Sequence, residues 1–262
     1  MTRWEQIKLL NQHLLAELPQ YRREAERVPN DEAAQRRLLR GLMNLRPPMP
    51  LSPGFLAVQD ALLSAEREAK GVVRVEDLPP TAVPNVFLWR GDITRLAVDA
   101  IVDADNSALL GCFHPCHGCI DNAIHSAAGL QLRDECSRLM RAQGHPEPVG
   151  QAKLTGGYNL PSRYVLHTVG PIVQGRVTRR HREALASCNR ACLTLAAQKG
   201  LKSVAFCCIS TGEFHFPNRE AAETAVAAVR EFLRRDGGGM KVVFNVFKDV
   251  DESIYQTLLA SA

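Results

Sequence analysis

The sequence predicts a three-layer α/β/α domain preceded by an N-terminal helical extension. Three observations lead there. From Asn85 onward, short β-rich runs alternate with stretches of helical periodicity, the pattern of a sheet covered by helices. Before about residue 70 only helical spacing is present. The residues best suited to chemistry follow the predicted strands, where open α/β sheets bind ligands.

The extension occupies residues 1–75. Trp4, Ile7, Leu10, Leu14 and Leu18 recur at helical spacing. Asn30 or Asp31 caps a second helix running through Leu38, Leu39, Leu42 and Met43. The prolines of residues 46–53 break the pattern, and Gly54 to Lys70 forms a third helix with Phe55, Val58, Leu62 and Leu63 on one face. Such a layer is too small to bury its apolar faces alone and is expected to pack on the rest of the chain. Residues 76–84, with three prolines, read as a linker or irregular crossing. The main domain spans residues 85–262. Its expected strands are Val86–Trp89, Val98–Asp103, Ala152–Thr155, Tyr164–Thr168, Ser203–Ile209 and Val242–Phe247. Its expected helices are Ile120–Ala128, Leu130–Gln143, His181–Gln198, Arg219–Arg234 and Glu252–Leu259.

Composition narrows the function. Of 262 residues, 45% are hydrophobic and 23% charged, enough for a sizeable core. No apolar run has the roughly 18 residues of a membrane span, and the N-terminus lacks the apolar segment of a signal peptide, so a cytoplasmic location is expected. A net charge of +4 with scattered Lys and Arg argues against a nucleic-acid surface but suits a local pocket for a small anion. The eight cysteines are expected as free thiols or metal ligands. Cys188, Cys192, Cys207 and Cys208 lie in apolar settings and read as core.

Residues 111–119 place three thiols and two imidazoles in one short run before a helix, a donor density that suits zinc. Cys112, His117 and Cys119 form Cys-x4-His-x-Cys; Cys116 and Cys119 form Cys-x2-Cys; His114 and His125 are further options. Four protein ligands mark a closed structural site and three an open catalytic one, and spacing alone does not choose between them. Pro115-Cys-His-Gly-Cys119 also fits half of a zinc-deaminase signature, but no His-x-Glu or Cys-x-Glu precedes it. A thiol-redox Cys-x-x-Cys would leave the neighbouring histidines and Asp121 without purpose.

Other strand ends add to the picture. Asp92, in Arg90-Gly-Asp-Ile, can accept from an exocyclic amine such as that of adenine, or cap a helix. Asn106 can hold a ribose hydroxyl or serve as a turn residue. In Ser210-Thr-Gly-Glu-Phe-His-Phe-Pro217, Gly212 permits the backbone angles that turn successive amides toward one anion, and a helix start follows. Phe214 and Phe216 are the stacking candidates in that loop. Phe247 ends the last strand, where a ring can stack on a base or fill the core.

Taken together, these residues resemble the macrodomain family, which binds ADP-ribose. The resemblance covers about Asn85 to Ala262 and rests on Gly91-Asp-Ile, Val98-Asp-Ala-Ile-Val with Asn106, residues 120–129, Ser210-Thr-Gly-Glu-Phe and the closing Val-Phe-Lys-Asp. The chain is most similar to the zinc-containing branch found beside sirtuin-like ADP-ribosyltransferases in microbes, which carries a helical extension and a cysteine-rich insert. The resemblance implies a macrodomain with a mixed central sheet and a zinc-dependent hydrolase that removes mono-ADP-ribose from protein side chains, with a carboxylate ester favoured. It implies that Zn2+ is held by Cys112, His117 and Cys119. It also implies that Asp92 and the Ile93 amide bind adenine, that Ser210, Thr211, Gly212, Glu213 and Phe214 cradle the pyrophosphate, and that Asn106 holds the distal ribose; Phe247, from its place at the strand end, is a further ligand-binding candidate. Asn106, Asp121 and Glu213 are the expected catalytic residues, with Asp121 and Glu213 both candidates for the general base. The implied partners are ADP-ribose, an ADP-ribosylated protein and a sirtuin-like transferase of the same pathway, with no nucleic acid and no membrane. The chain departs from the family at Asp103-Ala-Asp-Asn106, where Asn-Ala-Ala-Asn is usual, and at Glu213, where an aliphatic residue is common. The alternative function is a reader that binds ADP-ribose without cleaving it and keeps a structural zinc; a weaker third is hydrolysis of a small ADP-ribose ester.

Overall fold

The computed structural model describes residues 1–236 and 239–261. Helix α1 (Arg3–Glu17) starts at a capping box: Thr2 Oγ1 accepts from the Glu5 amide, and the Thr2 amide donates to Glu5 Oε2. A short turn, α2 (Arg22–Ala25), leads to α3 (Glu32–Leu45), capped by Asp31 rather than Asn30. Ser52 caps α4 (Pro53–Lys70), with Pro53 at the first helical position, where its missing N–H costs nothing. Ile7, Leu10, Leu14, Leu39, Leu42, Phe55, Leu62 and Leu63 bury one another, and Leu130 from the main domain completes this second core. The expected packing of the extension on the rest of the chain is therefore present.

Strand β1 (Val73–Arg74) leads through residues 76–84, which are irregular but pinned by buried Leu78 and Val83. Then come β2 (Val86–Arg90), β3 (Leu96–Ala97) and β4 (Ala100–Ala104). β1 and β3 pair in a small parallel sheet. The expected strand Val98–Asp103 thus begins two residues late: Asp99 is occupied in joining strand starts, its amide donating to Ser203 Oγ and its carboxylate accepting from the Lys202 amide. Helices α5 (Ile120–Ala128) and α6 (Leu130–Gln143) have the predicted bounds, as does β6 (Tyr164–Thr168), which follows β5 (Ala152–Gly156). After α7 (Arg179–Gln198), β7 (Ser203–Phe206) stops three residues before the expected Ile209, because the Ile209 amide turns back onto the Cys207 carbonyl. Helix α8 (Asn218–Asp236), β8 (Lys241–Val246) and α9 (Asp249–Leu258) close the chain.

The main sheet runs β2-β8-β7-β4-β6-β5, parallel except for β5 against β6. Helices α7, α8 and α9 pack side by side, while α5 and α6 pair with each other against β4 and β5. The extension stacks on α5 through α3 and α4. Among the described residues, no helix is long and apolar enough to cross a membrane.

Candidate functional site

The chain leaves β4 through Asn106, whose Oδ1 accepts from the Ala108 amide at 3.0 Å, closing an Asx turn. Gly111 then takes φ of 78°, and a β-carbon there would lie 2.9 Å from the His125 ring. The cysteine loop follows. Cys119 caps α5, its sulfur accepting from the Asn122 amide at 3.4 Å. Cys112 Sγ and His117 Nδ1 are 3.7 Å apart, and one ligand atom from each of Cys112, His117 and Cys119 lies within 4.8 Å of the others. Zinc–sulfur and zinc–nitrogen bonds at a tetrahedral angle place sulfur and nitrogen about 3.6 Å apart, so these residues fit zinc in type and spacing. Cys116 is turned away: its thiol donates to the Arg37 carbonyl at 3.4 Å and its amide to Asn44 Oδ1 at 2.9 Å.

The extension braces this loop. Arg40 donates to Asn122 Oδ1 and to the His117 carbonyl, and Asn44 Nδ2 donates to Ser126 on α5. Buried Arg133, on α6, donates Nη1 to the carbonyls of Met43, Asn44 and Arg46 and Nε to Leu110, while its guanidinium covers Phe113. The contacts between the extension and the main domain join residues about 80 to 90 positions apart, and sequence reasoning missed them.

The loop after β7 approaches from the other side. Glu213 Oε1 stands 3.7 Å from His117 Nε2, with the Glu213 side chain 72% exposed. The left-handed angles expected of Gly212 fall instead on Ser210 (φ 65°) and His215 (φ 56°). A β-carbon at Gly212 meets nothing, so neither its backbone angle nor the surrounding packing requires glycine there. The Phe216 amide bonds back to the Ser210 carbonyl, and the amides of Gly212, Glu213 and Phe214 have no acceptor among the described residues. Phe216, expected as a stacking candidate, is buried in the core; Phe214 is half-buried and Phe247 is 74% exposed.

Asp121 is buried beneath. Its Oδ2 accepts from Asn106 Nδ2 at 3.5 Å, and its Oδ1 lies 3.5 Å from His125 Nε2. Burial, with the Asp105 charge beside it, holds the Asp121 carboxyl well above the usual carboxylate range. Asp92 lies apart from this group. Its Oδ1 caps the turn Ile93–Arg95, accepting from the Thr94 amide and hydroxyl, while its Oδ2 stands 3.6 Å from Lys70 Nζ. The helix cap and the acceptor facing Lys70 are thus two oxygens of one carboxylate. It lines a cavity of about 140 Å3 between α4 and α5, with Arg40, Ala123, Ala127, Asn159 and Leu160. Ile93 is buried, so its side chain packs into the core and does not face solvent.

The structure therefore brings Cys112, His117, Cys119, Asn106, Asp121 and Glu213 together, with Asp92 and Ile93 at a separate strand end. A family model described as Macro domain matches residues 102–225. A protein-ADP-ribose hydrolase from Treponema medium is 49% identical over 99% of this chain and 100% of its own length. Another of that name from Staphylococcus aureus (strain MSSA476) is 50% identical over 84% of this chain and 82% of its own. The crystal structure of the Trypanosoma brucei macrodomain in complex with ADP-ribose matches with a TM-score of 0.65 at 33% identity, covering 83% of this chain and 94% of that one.

Proposed function

The chain belongs to the macro domain family, and on that premise we propose that it is a zinc-dependent hydrolase that removes mono-ADP-ribose from modified protein side chains, cleaving a carboxylate ester. The observation that carries this reading is the three-ligand set Cys112, His117 and Cys119, with Cys116 turned away and Glu213 beside His117. Three protein ligands suit a catalytic zinc; a closed structural site takes four. A relative aligned over its full length is named protein-ADP-ribose hydrolase, which supports hydrolysis over mere binding.

In this reading Asp92 Oδ2 accepts from the adenine amine beside the Ile93 amide, and Phe247 stacks on the base. The free amides of the Ser210–Phe214 loop, with the N-terminus of α8 behind them, hold the pyrophosphate. Asn106, oriented by Asp121, holds the distal ribose. Zinc, when bound, supplies Lewis acidity at the scissile end. Glu213 is the solvent-facing carboxylate of the pair, so it takes the proton from the attacking water, and buried Asp121 positions Asn106.

The test is release of ADP-ribose from an automodified protein by the zinc-loaded and the chelated protein. Turnover confined to the zinc-loaded sample, with ADP-ribose binding intact in both, supports the proposal. Turnover that survives chelation removes the zinc from the mechanism, and tight binding without turnover in either sample leaves a reader.

Two variants probe the parts. Glu213→Gln is expected to lower turnover about 10²-fold with ADP-ribose affinity unchanged. An unchanged turnover number would pass the general-base role to Asp121. At Gly170, a β-carbon would lie 2.0 Å from Ser210 Oγ and 2.8 Å from Ile209 Cγ2. Gly170→Ala must therefore push the pyrophosphate loop outward. Overpacking of about 1–3 kcal/mol corresponds to ADP-ribose binding weaker by about fivefold to 150-fold. Calorimetric titration checks this, and wild-type affinity would show that the loop does not hold the ligand.

A further inference from the structure

A second cluster of metal-ligating side chains lies beneath the cysteine loop. β4 runs out through Asp103 into Asp105, the residue just past its end, and residues two apart on an extended chain share a face, so both carboxylates point the same way. On the neighbouring strand, His167 is in register with Asp103. Helix α5 lays His125 over the pair. None of these residues is more than 5% exposed. His167 Nδ1 is 2.8 Å from Asp105 Oδ2, and Asp103 Oδ2 is 3.9 Å from both His167 Nδ1 and His125 Nε2. One ligand atom from each of the four residues lies within 4.8 Å of the others.

Among the described residues, both oxygens of Asp103, Oδ1 of Asp105 and both ring nitrogens of His125 have no hydrogen-bond partner. Buried polar atoms are ordinarily paired, and an unpaired one costs about 1–3 kcal/mol unless a water or an ion meets it. Protonating Asp103 supplies a single donor hydrogen. It leaves most of these atoms unmatched, and a ring nitrogen of His125 still wants a partner. One divalent cation satisfies a carboxylate oxygen from each aspartate and a nitrogen from each histidine at once. Two carboxylates and two imidazoles make a donor set suited to a divalent first-row transition ion.

We propose that Asp103, Asp105, His125 and His167 form a second, fully buried site for a divalent first-row transition cation, separate from the cysteine–histidine trio. The site needs no hydrolase activity and stands independently of the function proposed above. Because His125 lies between Asp103 and Asp121, the bound ion fixes the floor on which Asp121 and Asn106 rest.

The probe is zinc alone, added to full-length protein stripped of metal and then dialysed. Elemental analysis is expected to find about two zinc ions per chain in the wild type and about one in the Cys112→Ser/Cys119→Ser double variant. Asp103→Asn, which keeps the volume of the side chain, is expected to lose one ion while retaining the thiolate-to-metal charge-transfer band when cobalt(II) replaces zinc. Since that variant alters a buried group, anomalous diffraction at the zinc edge on wild-type crystals provides a second measurement, with a peak expected among the four side chains. A single wild-type peak at the cysteine loop, with metal absent from the double cysteine variant, overturns the proposal and assigns the cluster to protons and water. One ion that survives the cysteine substitutions but not Asp103→Asn supports it, whatever becomes of the cysteine site.

Discussion

Cys119→Ala is expected to lower turnover about 10³-fold, since a catalytic metal contributes several kcal/mol and each 1.36 kcal/mol is tenfold. ADP-ribose affinity is expected to stay within about threefold, because the groups proposed to hold adenine and pyrophosphate lie on other strand ends. Cys119 has two roles, and the variants separate them. Its sulfur belongs to the proposed ligand trio and also caps α5 by accepting from the Asn122 amide. Alanine removes both and costs about 1 kcal/mol of helix stability. Cys119→Ser keeps a capping oxygen, so its stability is expected to stay near wild type while turnover falls as it does for alanine. Cys116 is the control within the same loop. Its thiol faces the Arg37 carbonyl, and serine donates there equally well, so Cys116→Ser is expected to leave turnover within about twofold. Zinc content and steady-state turnover of the three proteins check the prediction. Equal losses at Cys116 and Cys119 would mean that both thiolates bind metal, and the site would be a closed four-ligand staple.

Much of the architecture is legible because periodicity reports which face is buried. Ile120–Ala128 and Leu130–Gln143 have the expected bounds because a glycine follows each helix, Gly129 at φ 98° and Gly144 at φ 77°. Strand ends were less legible. Val98 and Ile209 are apolar and continue the pattern, but the chain bends at Asp99 and after Cys207 through hydrogen bonds that no local pattern encodes. Within the site, residues of distinctive chemistry at short spacing, such as Cys112, His117 and Cys119, could be read directly. Phe216 could not be told from Phe214, since two aromatics two residues apart in a loop look alike until one is buried. The acidic pair Asp103 and Asp105 was visible as a departure, and their spacing implies a shared face. That His125 and His167 meet them there depends on strand order and helix placement.

The role of the extension was the least legible feature, and it carries the last prediction. Arg133→Met is expected to destabilise the protein by about 3–5 kcal/mol, the range for removing one partner from a buried charged network. A helix leaves its last carbonyls without intrahelical partners. For α3 these include Met43 and Asn44, and the Arg133 guanidinium accommodates both, together with the carbonyl of the cap residue Arg46, while Nε takes Leu110. Burial pushes the Arg133 pKa down to about 10, so it stays charged at neutral pH and faces the negative end of the α3 dipole. Methionine fills the volume but strands four carbonyls, each costing about 1–3 kcal/mol if left dry. The same substitution removes the cation resting on Phe113, the residue that follows Cys112. Zinc affinity is therefore expected to fall along with stability. Arg133→Lys retains the charge without the planar fork and is expected to lose an intermediate amount. Urea unfolding measures the stability, and protease cutting in residues 71–84 reports release of the helical layer. A loss below about 1 kcal/mol with unchanged zinc affinity would show that the extension only covers apolar surface.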